Sequence, residues 1–453
     1  MAAMRILILG FEYLPVKVGG LAEAVTSIAE GLSNLGHEVA VFTPSHGKDL
    51  GEPFTAFRVS AFGERVEVTV KKREQNGVVV YSLGGGVLDS SDVYGPGWNG
   101  LLKKSVLFGK ASVGLLNELI GEFKPDVVHA HDWHTVFALG LLRKYFGLRS
   151  VFTVHRLNKA KVPAHYFHEA HLSELVPYPD IDPEHTAAYI ADAVTTVSRS
   201  YLWEEWDFFG LFEGKVTHIF NGIDCSFWNE ELIETGDLPR EERRRRILED
   251  LGLSDGKTFM FIGRFDKAQK GVDTLLYAIE LLSTDPSFSE MRFIIIGKGD
   301  PELGAWARAM ENRFPENVRT ITKLLSREVV RELYGSVDFV VIPSYFEPFG
   351  LVQLEAMCLG AVPIASAVGG LKDTIIGLSS DPERATGMLV SPRDAFALAR
   401  AMIWAKELDD ETLERLRENG KKRAREDFSW EKACERYVRV YEGRVDKAVS
   451  FLR

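Results

Sequence analysis

Cysteine is scarce in this sequence: its 453 residues include three, Cys225, Cys358 and Cys434. Their number is odd and no two are spaced as CxxC, which argues against a disulfide framework and against a cysteine-based zinc site. Free thiols are typical of a reducing compartment. The sequence therefore predicts a cytoplasmic protein.

Long apolar runs and an excess of positive charge are also missing. No stretch approaches the ~18 consecutive apolar residues of a membrane span. The first apolar run stops at Glu12, too early for a signal peptide. Lysine and arginine total 54 against 65 acidic residues, giving a formal net charge of -11. Nucleic acid and anionic lipid bind clustered cations, so we expect neither partner.

The chain is too long for one hydrophobic core, because cores stop growing at about 250–300 residues. Short β-branched runs alternate with longer helical patterns throughout, which predicts βαβ units, parallel sheets and an α/β fold. The predicted strands are Arg5–Gly10, Glu38–Thr43, Asp126–Ala130, Ser150–Val154, Ala193–Val197, Thr258–Ile262, Arg292–Gly297, Asp338–Pro343 and Val362–Ala365.

A polar, charged stretch at residues 229–255 separates two halves with this pattern. We predict one domain over residues 1–225, a second over 226–429, and a final helical stretch from Trp430 to Phe451. Four consecutive arginines, Arg243 to Arg246, are expected on a solvated helix face, balanced by the acids beside them.

A glycine pair follows the first strand, in Lys17-Val18-Gly19-Gly20, and opens a helix. Free backbone N–H groups at a helix N-terminus, with a lysine nearby, favour a phosphate. A tight turn is the alternative, and a glycine pair alone favours the turn. The pattern GxGxxG is missing here, so a nicotinamide cofactor is not expected.

Two polar clusters come directly after strands: His131-Asp132-Trp133-His134 and His155-Arg156-Leu157-Asn158. A lone histidine is more often structural, and His155 becomes a candidate only through its position, because ligands of open parallel sheets bind at the carboxyl ends of the strands. His131 and His134 lie three residues apart on a loop, without the further ligands that zinc requires. No metal site is predicted.

The second half carries its own charged residues after strands. Arg264 and Lys270 either converge on one anion or form a pair of exposed surface cations. Glu347 precedes a helix in Pro343-Ser344-Tyr345-Phe346-Glu347-Pro348-Phe349-Gly350-Leu351, and Glu355 lies inside that helix. The apolar neighbours of Glu355 imply a partner for its carboxylate. The helix start offers its amides to a diphosphate.

These motifs follow one another in a defined order: KVGGL at residues 17–21, HDWH at 131–134, the strand-end His155, NGID at 221–224, Arg264 with Lys270-Gly271, and EPFGL at 347–351 with Glu355. The set resembles the glycogen and starch synthase branch of the GT-B glycosyltransferases, of archaeal type, over essentially the whole chain. The resemblance implies two Rossmann-like domains that face a central cleft, with the final helix crossing back to the N-terminal domain.

The resemblance also implies roles for the matched residues. Arg264 and Lys270 hold the donor phosphates, and Glu347 sits beside the transferred glucose. His155 and Asp132 contact the sugar near its reacting carbon. Further substrate contacts are implied at Lys17, Gly19, Gly20, Asn221, Phe349, Gly350, Leu351 and Glu355, the last to the ribose. Tyr94, in the acceptor-side loop Tyr94–Trp98, either stacks on glucan or is a buried structural aromatic.

The implied reaction transfers glucose from ADP-glucose or UDP-glucose, with retention, to the non-reducing end of glycogen or a maltooligosaccharide. No cofactor is implied, because the nucleotide sugar is a substrate. Retention suggests a carboxylate nucleophile, but no residue is a clear candidate, so a same-face mechanism fits better. Another retaining GT-B transferase and an inactive glucan-binding protein are the alternatives. The sequence indicates neither the nucleotide nor the oligomeric state.

Overall fold

The computed structural model describes residues 3–175 and 180–445. The strands are β1 Arg5–Leu9, β2 Glu38–Pro44, β3 Glu52–Ala61, β4 Glu64–Gln75, β5 Val78–Gly84, β6 Val127–His131, β7 Arg149–Val154, β8 Val162–Pro163, β9 Asp180–Ile181, β10 Ala193–Thr196, β11 Val216–His218, β12 Lys257–Ile262, β13 Met291–Ile296, β14 Val318–Ile321, β15 Phe339–Ile342, β16 Val362–Ser366 and β17 Met388–Val390. The α-helices are α1 Gly20–Asn34, α2 Gly97–Leu119, α3 Val136–Phe146, α4 Ala164–Glu169, α5 Pro183–Ile190, α6 Arg199–Glu204, α7 Trp206–Phe209, α8 Arg240–Asp250, α9 Val272–Leu282, α10 Pro301–Arg313, α11 Arg327–Tyr334, α12 Val352–Cys358, α13 Gly369–Thr374, α14 Ala395–Lys406, α15 Asp410–Asp427 and α16 Trp430–Tyr441.

The chain divides into two compact units. The first comprises Met1–Val197, Glu205–Gly222 and Trp430–Arg453, and the second comprises Ser198–Glu204 and Ile223–Ser429. The domain boundary predicted after residue 225 lies three residues from the observed one. The prediction assigned Ser198–Glu204 to the first domain, whereas this segment, which contains α6, belongs to the second unit.

Within the described residues, the main sheet of the first unit has nine strands in the order β11-β10-β7-β6-β1-β2-β5-β4-β3. Its strands from β11 to β5 pair in parallel, while β4 pairs antiparallel with both β5 and β3. The parallel strands are buried apolar runs, as expected for a sheet that packs on both faces. Polar loops at their carboxyl ends therefore share one edge.

Helix α16 packs in the first unit although it follows the last helix of the second. Its Cys434, Tyr437 and Val438 join a core with the α1 residues Val25 and Ile28. Gly31 allows this close approach, since a Cβ there would lie 2.5 Å from the Cys434 sulfur. The predicted return of the final helix to the N-terminal unit is confirmed.

The predicted length of the final helix is wrong. Helix α16 ends at Tyr441, and Gly443 adopts a left-handed φ of +88° two residues later. Glycine is the residue that commonly ends a helix in this conformation. The remaining predicted positions, from residue 446 onward, lie outside the described residues.

Among the described residues, the second unit has a parallel sheet of six strands in the order β14-β13-β12-β15-β16-β17. Phe259, Phe293 and Phe339 from three neighbouring strands stack within its core. All nine strands predicted for the two units are present, with ends within one residue. The strands that the sequence did not predict are β3, β4, β5, β8, β9, β11, β14 and β17.

The arginine run on α8 departs from the solvated face that was predicted. Arg245 and Arg246 are exposed and pair with Glu242. Arg243 is buried, however, and Arg244 contacts the buried Asp338 at 3.2 Å. The expectation is therefore wrong for half of the run, because Arg243 and Arg244 turn inward, where Arg243 lies 3.8 Å from Glu230 and Arg244 pairs with Asp338.

Asp338 is the centre of a charge network at the amino end of β15. Its carboxylate is 1% exposed, contacts Arg244 and Arg417 at 3.2 and 3.1 Å, and accepts hydrogen bonds from the backbone and side chain of Thr258. Removing one partner from such a cluster leaves buried charge uncompensated. The network therefore ties α8 and α15 to the strands β12 and β15.

We predict that Asp338→Ala lowers the free energy of unfolding by about 3–5 kcal/mol, because two largely buried guanidinium groups lose their counter-charge. The matched control is Glu242→Ala, which removes exposed pairs on α8 and should cost about 0–1 kcal/mol. Urea unfolding of both variants measures the difference. Equal midpoints for the two variants would contradict a buried, stabilising role for Asp338.

Candidate active site

The loops at the carboxyl ends of β1, β6 and β7 bring together residues that the sequence singled out in the first unit. These strands are neighbours in one parallel sheet, so the loops that follow them meet at one edge. They carry Glu12 and Lys17 after β1, Asp132 after β6, and His155 after β7. This is the edge where ligands of open parallel sheets bind.

Glu12 organises the loop that carries the glycine pair. Its buried Oε2 accepts hydrogen bonds from the backbone N–H groups of Val18 at 2.6 Å and Gly19 at 3.1 Å. These are two of the amides expected to favour a phosphate, and here a carboxylate already satisfies them. Of the groups that were predicted to bind an anion at this turn, the Lys17 ammonium and the Gly20 amide therefore remain.

Lys17 and the two glycines face open space. The Lys17 side chain is 42% exposed and its Nζ pairs with Glu23 at 2.7 Å. A Cβ added at Gly19 or Gly20 would meet no atom within 4 Å. Crowding within the chain thus does not require these glycines, whereas close approach of a ligand to the backbone would.

Asp132 fixes the loop after β7. Its Oδ1 accepts hydrogen bonds from the backbone N–H groups of His155 at 2.7 Å and Arg156 at 3.4 Å. Asp132 itself has a φ of +56°, a conformation that non-glycine residues rarely adopt. The strain is held in place by the strand-to-strand hydrogen bond from Asp132 N–H to the Thr153 carbonyl at 2.9 Å.

His155 lies in a buried histidine cluster. Its Nε2 is 2.9 Å from Nδ1 of His131, whose ring is tilted by 40° to that of His129 with the two centroids 4.1 Å apart. Burial lowers the pKa of His155 to about 4 and the pKa of His131 well below its ordinary value. Both rings are therefore neutral at pH 7, so that one donates a hydrogen bond to the other.

Asn221 and the aromatic loop complete the first unit's contribution. Asn221 is 8% exposed, and its buried Oδ1 has no hydrogen-bond donor among the described residues. An unsatisfied buried acceptor costs about 1–3 kcal/mol, which a ligand hydroxyl would recover. Tyr94 is half-buried and its hydroxyl donates to Glu12. The solvent-exposed aromatic of the loop is Trp98, 43% exposed and packed on Trp133.

In the second unit, Lys270 and Glu347 form the best-defined pair of predicted residues. They follow the neighbouring strands β12 and β15, and the Lys270 Nζ lies 2.6 Å from the Glu347 Oε2. The Ser344 hydroxyl donates to the same oxygen at 3.2 Å. Glu347 is 7% exposed, so the ammonium group compensates a nearly buried charge.

Arg264 does not share this arrangement. Its side chain is 63% exposed and its guanidinium contacts Gln269 at 3.3 Å and Asp266 at 3.5 Å, both in its own loop. This arrangement is that of the surface-cation alternative. The Arg264 loop is nevertheless tied to the segment that carries Glu347, because the Gln269 carbonyl accepts a hydrogen bond from Tyr345 N–H at 2.7 Å.

Glycines shape the turn before α12. Gly350 has a φ of +82°, and a Cβ there would lie 2.6 Å from the Gln353 side chain. The loop after β16 packs against the same turn: a Cβ on Gly369 would lie 1.9 Å from the Glu347 carbonyl, and one on Gly370 2.4 Å from Phe349. Only glycine permits this contact, which fixes the backbone from Glu347 to Phe349.

The structure disagrees with the sequence prediction for the Phe349 side chain and agrees with it for Glu355. The Phe349 side chain is 3% exposed and its ring centroid is 6.2 Å from that of Phe428. Its predicted substrate contact is therefore wrong for the side chain, which belongs to the core. Glu355 has the partner that its apolar neighbours implied, since it accepts a hydrogen bond from the buried Tyr334 hydroxyl at 3.3 Å.

Three residues of this region were not predicted: Glu12, Ser344 and Trp98. Glu12 carried a signal, because it is a carboxylate directly after a buried strand, as Asp132 is. Ser344 could be found only from its contact with Glu347. Trp98 is the last residue of the predicted loop Tyr94–Trp98. A single turn at the start of a helix does not indicate which of its side chains are exposed, so the sequence did not single out Trp98.

Two family models together match most of the chain. The starch synthase catalytic domain matches residues 5–219, and the group 1 glycosyl transferases match residues 243–423. The chain is 28% identical to the glycogen synthase of Bacillus cereus, over 98% of this chain and 100% of that protein. It is 29% identical to glycogen synthase 1 of a Synechocystis species, over 98% of this chain and 96% of the relative.

The fold is also that of a solved starch synthase. The catalytic domain of starch synthase IV from Arabidopsis thaliana, bound to ADP and acarbose, superposes with a TM-score of 0.85 at 23% identity, covering 98% of this chain and 99% of that one. The chain belongs to the glycogen and starch synthase family of glycosyltransferases. Its two parallel-sheet units have the GT-B fold, as predicted. The archaeal type stays a prediction.

Metal ligands and membrane spans were searched for within residues 3–175 and 180–445. No group of three or more His, Cys, Asp or Glu side chains there could hold a metal ion. No helix in the same part of the chain is long and apolar enough to cross a membrane. The glycosyltransferase's independence of metal stays a prediction.

The pKa of Asp132 predicts a pH dependence of stability. Burial raises this pKa to about 8, although two backbone N–H donors act in the opposite direction. Unfolded aspartate has a pKa of about 3.9, so between about pH 4 and 8 the folded protein binds more protons at this site. The contribution of Asp132 to stability therefore falls as pH rises through that range.

We predict that Asp132→Asn, which keeps the acceptor oxygen but does not titrate, gains stability relative to the wild type as pH rises from about 4 to 8. Urea unfolding of both proteins at a series of pH values measures this difference. A difference that is constant with pH would mean that Asp132 is ionised in the folded protein throughout the range.

Proposed function

We propose that this glycosyltransferase transfers glucose from ADP-glucose or UDP-glucose to the non-reducing end of an α-1,4-glucan, with retention at the anomeric carbon. The observation that carries the proposal is the Lys270–Glu347 pair, fixed at 2.6 Å beside a glycine turn that opens α12. A partly buried ammonium and the amides at the start of a helix suit a nucleoside diphosphate as leaving group. The named relatives support glucan as acceptor.

The donor contacts are assigned unit by unit. In the first unit, Lys17 and Gly20 contact the diphosphate and glucose, and Asn221 offers its unsatisfied Oδ1 to a substrate hydroxyl. In the second unit, the amides of Gly350 and Leu351 bind phosphate, and Glu355 receives the ribose hydroxyls. The ADP bound to the Arabidopsis relative supports adenine as the base.

The chemistry follows from the charges. The bond between glucose C1 and the diphosphate oxygen breaks with its electron pair moving to the diphosphate, where Lys270 and Arg264 stabilise the developing charge. The acceptor hydroxyl forms its bond to C1 on the same face and passes its proton to a diphosphate oxygen. His155, neutral at pH 7, and Asp132 contact the glucose, and Glu347 lies beside it.

A covalent intermediate fits these residues less well. A nucleophilic carboxylate attacks C1 through one oxygen and is most reactive when no cation neutralises its charge, but Glu347 Oε2 is paired with the Lys270 ammonium and accepts a hydrogen bond from Ser344. Asp132 Oδ1 is held by two backbone amides, and burial favours its protonated form. The same-face route is therefore the proposed mechanism.

Two further parts of the proposal concern the cell and the acceptor. The three cysteines are free thiols, which supports a cytoplasmic location.

Trp98, exposed in the first turn of α2 just after the Tyr94 loop, offers an aromatic face to a glucan ring. Tyr94 then contributes through its loop position, since its hydroxyl is engaged by Glu12.

The proposal is tested by nucleotide release from ADP-, UDP- and GDP-glucose, with glycogen present or omitted, in buffer containing EDTA. We predict glycogen-dependent release from the ADP or UDP donor without added metal, because protein cations neutralise the diphosphate. Release that needs Mg²⁺ or Mn²⁺ contradicts the metal-free mechanism. Transfer only to a small sugar phosphate or lipid indicates another GT-B transferase, and no turnover with any donor indicates an inactive glucan-binding protein.

The roles of Arg264 and Lys270 are tested by steady-state kinetics. We predict that Lys270→Ala and Arg264→Ala each lower kcat by about 10²–10³, as expected for loss of a preorganised charge at the leaving group, with a smaller rise in KM. Arg264→Lys should recover part of the loss, since it keeps the charge without the bidentate fork.

The matched control is Lys267→Ala, in the same loop, whose ammonium pairs with the exposed Glu302 and with Asp300. It should leave kcat unchanged. Thermal unfolding confirms that each variant is folded. A near-wild-type kcat in Lys270→Ala and Arg264→Ala would refute the phosphate clamp, and for Arg264 alone it would establish the surface-cation role.

A further inference from the structure

One buried carboxylate serves two loops of the first unit. Glu12 is 1% exposed and its two oxygens face different segments. Oε2 accepts hydrogen bonds from the Val18 and Gly19 amides, in the loop that opens α1. Oε1 accepts a hydrogen bond from the Tyr94 hydroxyl, in the loop that opens α2. Donor-side and acceptor-side loops thus share one anion.

The position of the α1 loop depends on this anion more than on packing. Gly19 and Gly20 have open space where their side chains would be. The α1 N-cap position, Gly19, has no side chain to cap the helix, and Glu12 accepts its N–H instead. A hydrogen bond to a charged acceptor is worth more than a neutral one, so this contact is a strong tie on the glycine end of the loop.

The Tyr94 loop is held at both of its ends. The buried Lys104 Nζ donates to the carbonyls of Ser90 and Asp92 at 3.0 Å each and contacts His46 at 2.7 Å. At the other end the Tyr94 hydroxyl reaches Glu12. Burial and the Glu12 carboxylate raise the pKa of Tyr94 well above its usual value, so the phenol remains a hydrogen-bond donor.

We propose that Glu12 is a positioning residue that couples nucleotide binding at the Lys17–Gly20 loop to the state of the Tyr94 loop. The proposal rests on the function assigned above to the two loops. Tyr94 fixes the Glu12 side chain, and the fixed Glu12 holds the Val18 and Gly19 amides. Losing the Tyr94 hydroxyl therefore loosens a nucleotide-binding loop to which Tyr94 itself donates no hydrogen bond.

The test is a double-mutant cycle on the full chain, with ADP and UDP titrated in parallel by calorimetry. Tyr94→Phe removes one hydroxyl and should weaken binding of the nucleoside diphosphate at least about fivefold, the lower end of typical coupling between sites. Glu12→Gln should weaken it further. Tyr94→Phe should then have no additional effect in the Glu12→Gln background.

Glu30→Gln is the matched control, because Glu30 lies in α1 and its carboxylate also accepts hydrogen bonds, from Gln75 and Asn76. It should bind nucleotide like the wild type. Thermal unfolding should show that Tyr94→Phe is fully folded at the temperature of the titration, which separates positioning from loss of fold. Should Glu12→Gln not fold, Tyr94→Phe alone decides.

Wild-type nucleotide affinity in Tyr94→Phe overturns the coupling. The coupling is also overturned if the loss of affinity in the double variant equals the product of the losses in the two single variants. These outcomes leave the proposed function intact, because binding is measured without turnover. A wild-type chain that binds neither ADP nor UDP, and turns over no nucleotide sugar, overturns the proposed function itself.

Discussion

Buried carboxylates at the carboxyl ends of parallel strands must find hydrogen-bond donors, and in this protein those donors are the loops of the active site. Glu12 holds the amides that open α1, Asp132 holds the backbone of His155, and Glu347 holds the Lys270 ammonium. Each carboxylate is less than a tenth exposed. An unpaired buried charge would cost several kcal/mol, so the loops have little freedom to rearrange.

The same constraint explains the division between structure and chemistry in the site. The carboxylates are occupied by the chain's own amides and cations, which leaves them poorly suited to attack the sugar. Lys17 and Arg264, in contrast, are 42% and 63% exposed on the side chain. A mechanism in which cations stabilise a departing diphosphate uses the groups that are accessible, while the buried carboxyl groups fix the loops of the site.

The sequence predicted the fold well where the physics is local. Buried parallel strands are continuous apolar runs, so all nine predicted strands were found. The hairpin of β3 and β4 was missed because one face of each strand is exposed, which gives a mixed polar pattern, and β17 has only three residues. The burial of Arg244 depends on its pairing with Asp338, about ninety residues away, which no local pattern reveals.

The sequence predicted part of the candidate site and missed another part. Order along the chain pointed to Lys270 and Glu347, which the structure joins, but it also placed Phe349 at a ligand when its ring lies in the core. Glu12 escaped notice because its importance lies in two hydrogen-bonded loops far apart in sequence.

The central claim is retaining transfer to a glucan end, and the configuration of the product tests it most directly. Donor glucose labelled with ¹³C at C1 is transferred to a maltooligosaccharide, and the new anomeric signal is followed by NMR. The account predicts one α-1,4-linked glucose at the non-reducing end, formed from the start of the reaction. A β-linked product, or free glucose without elongation, would contradict it.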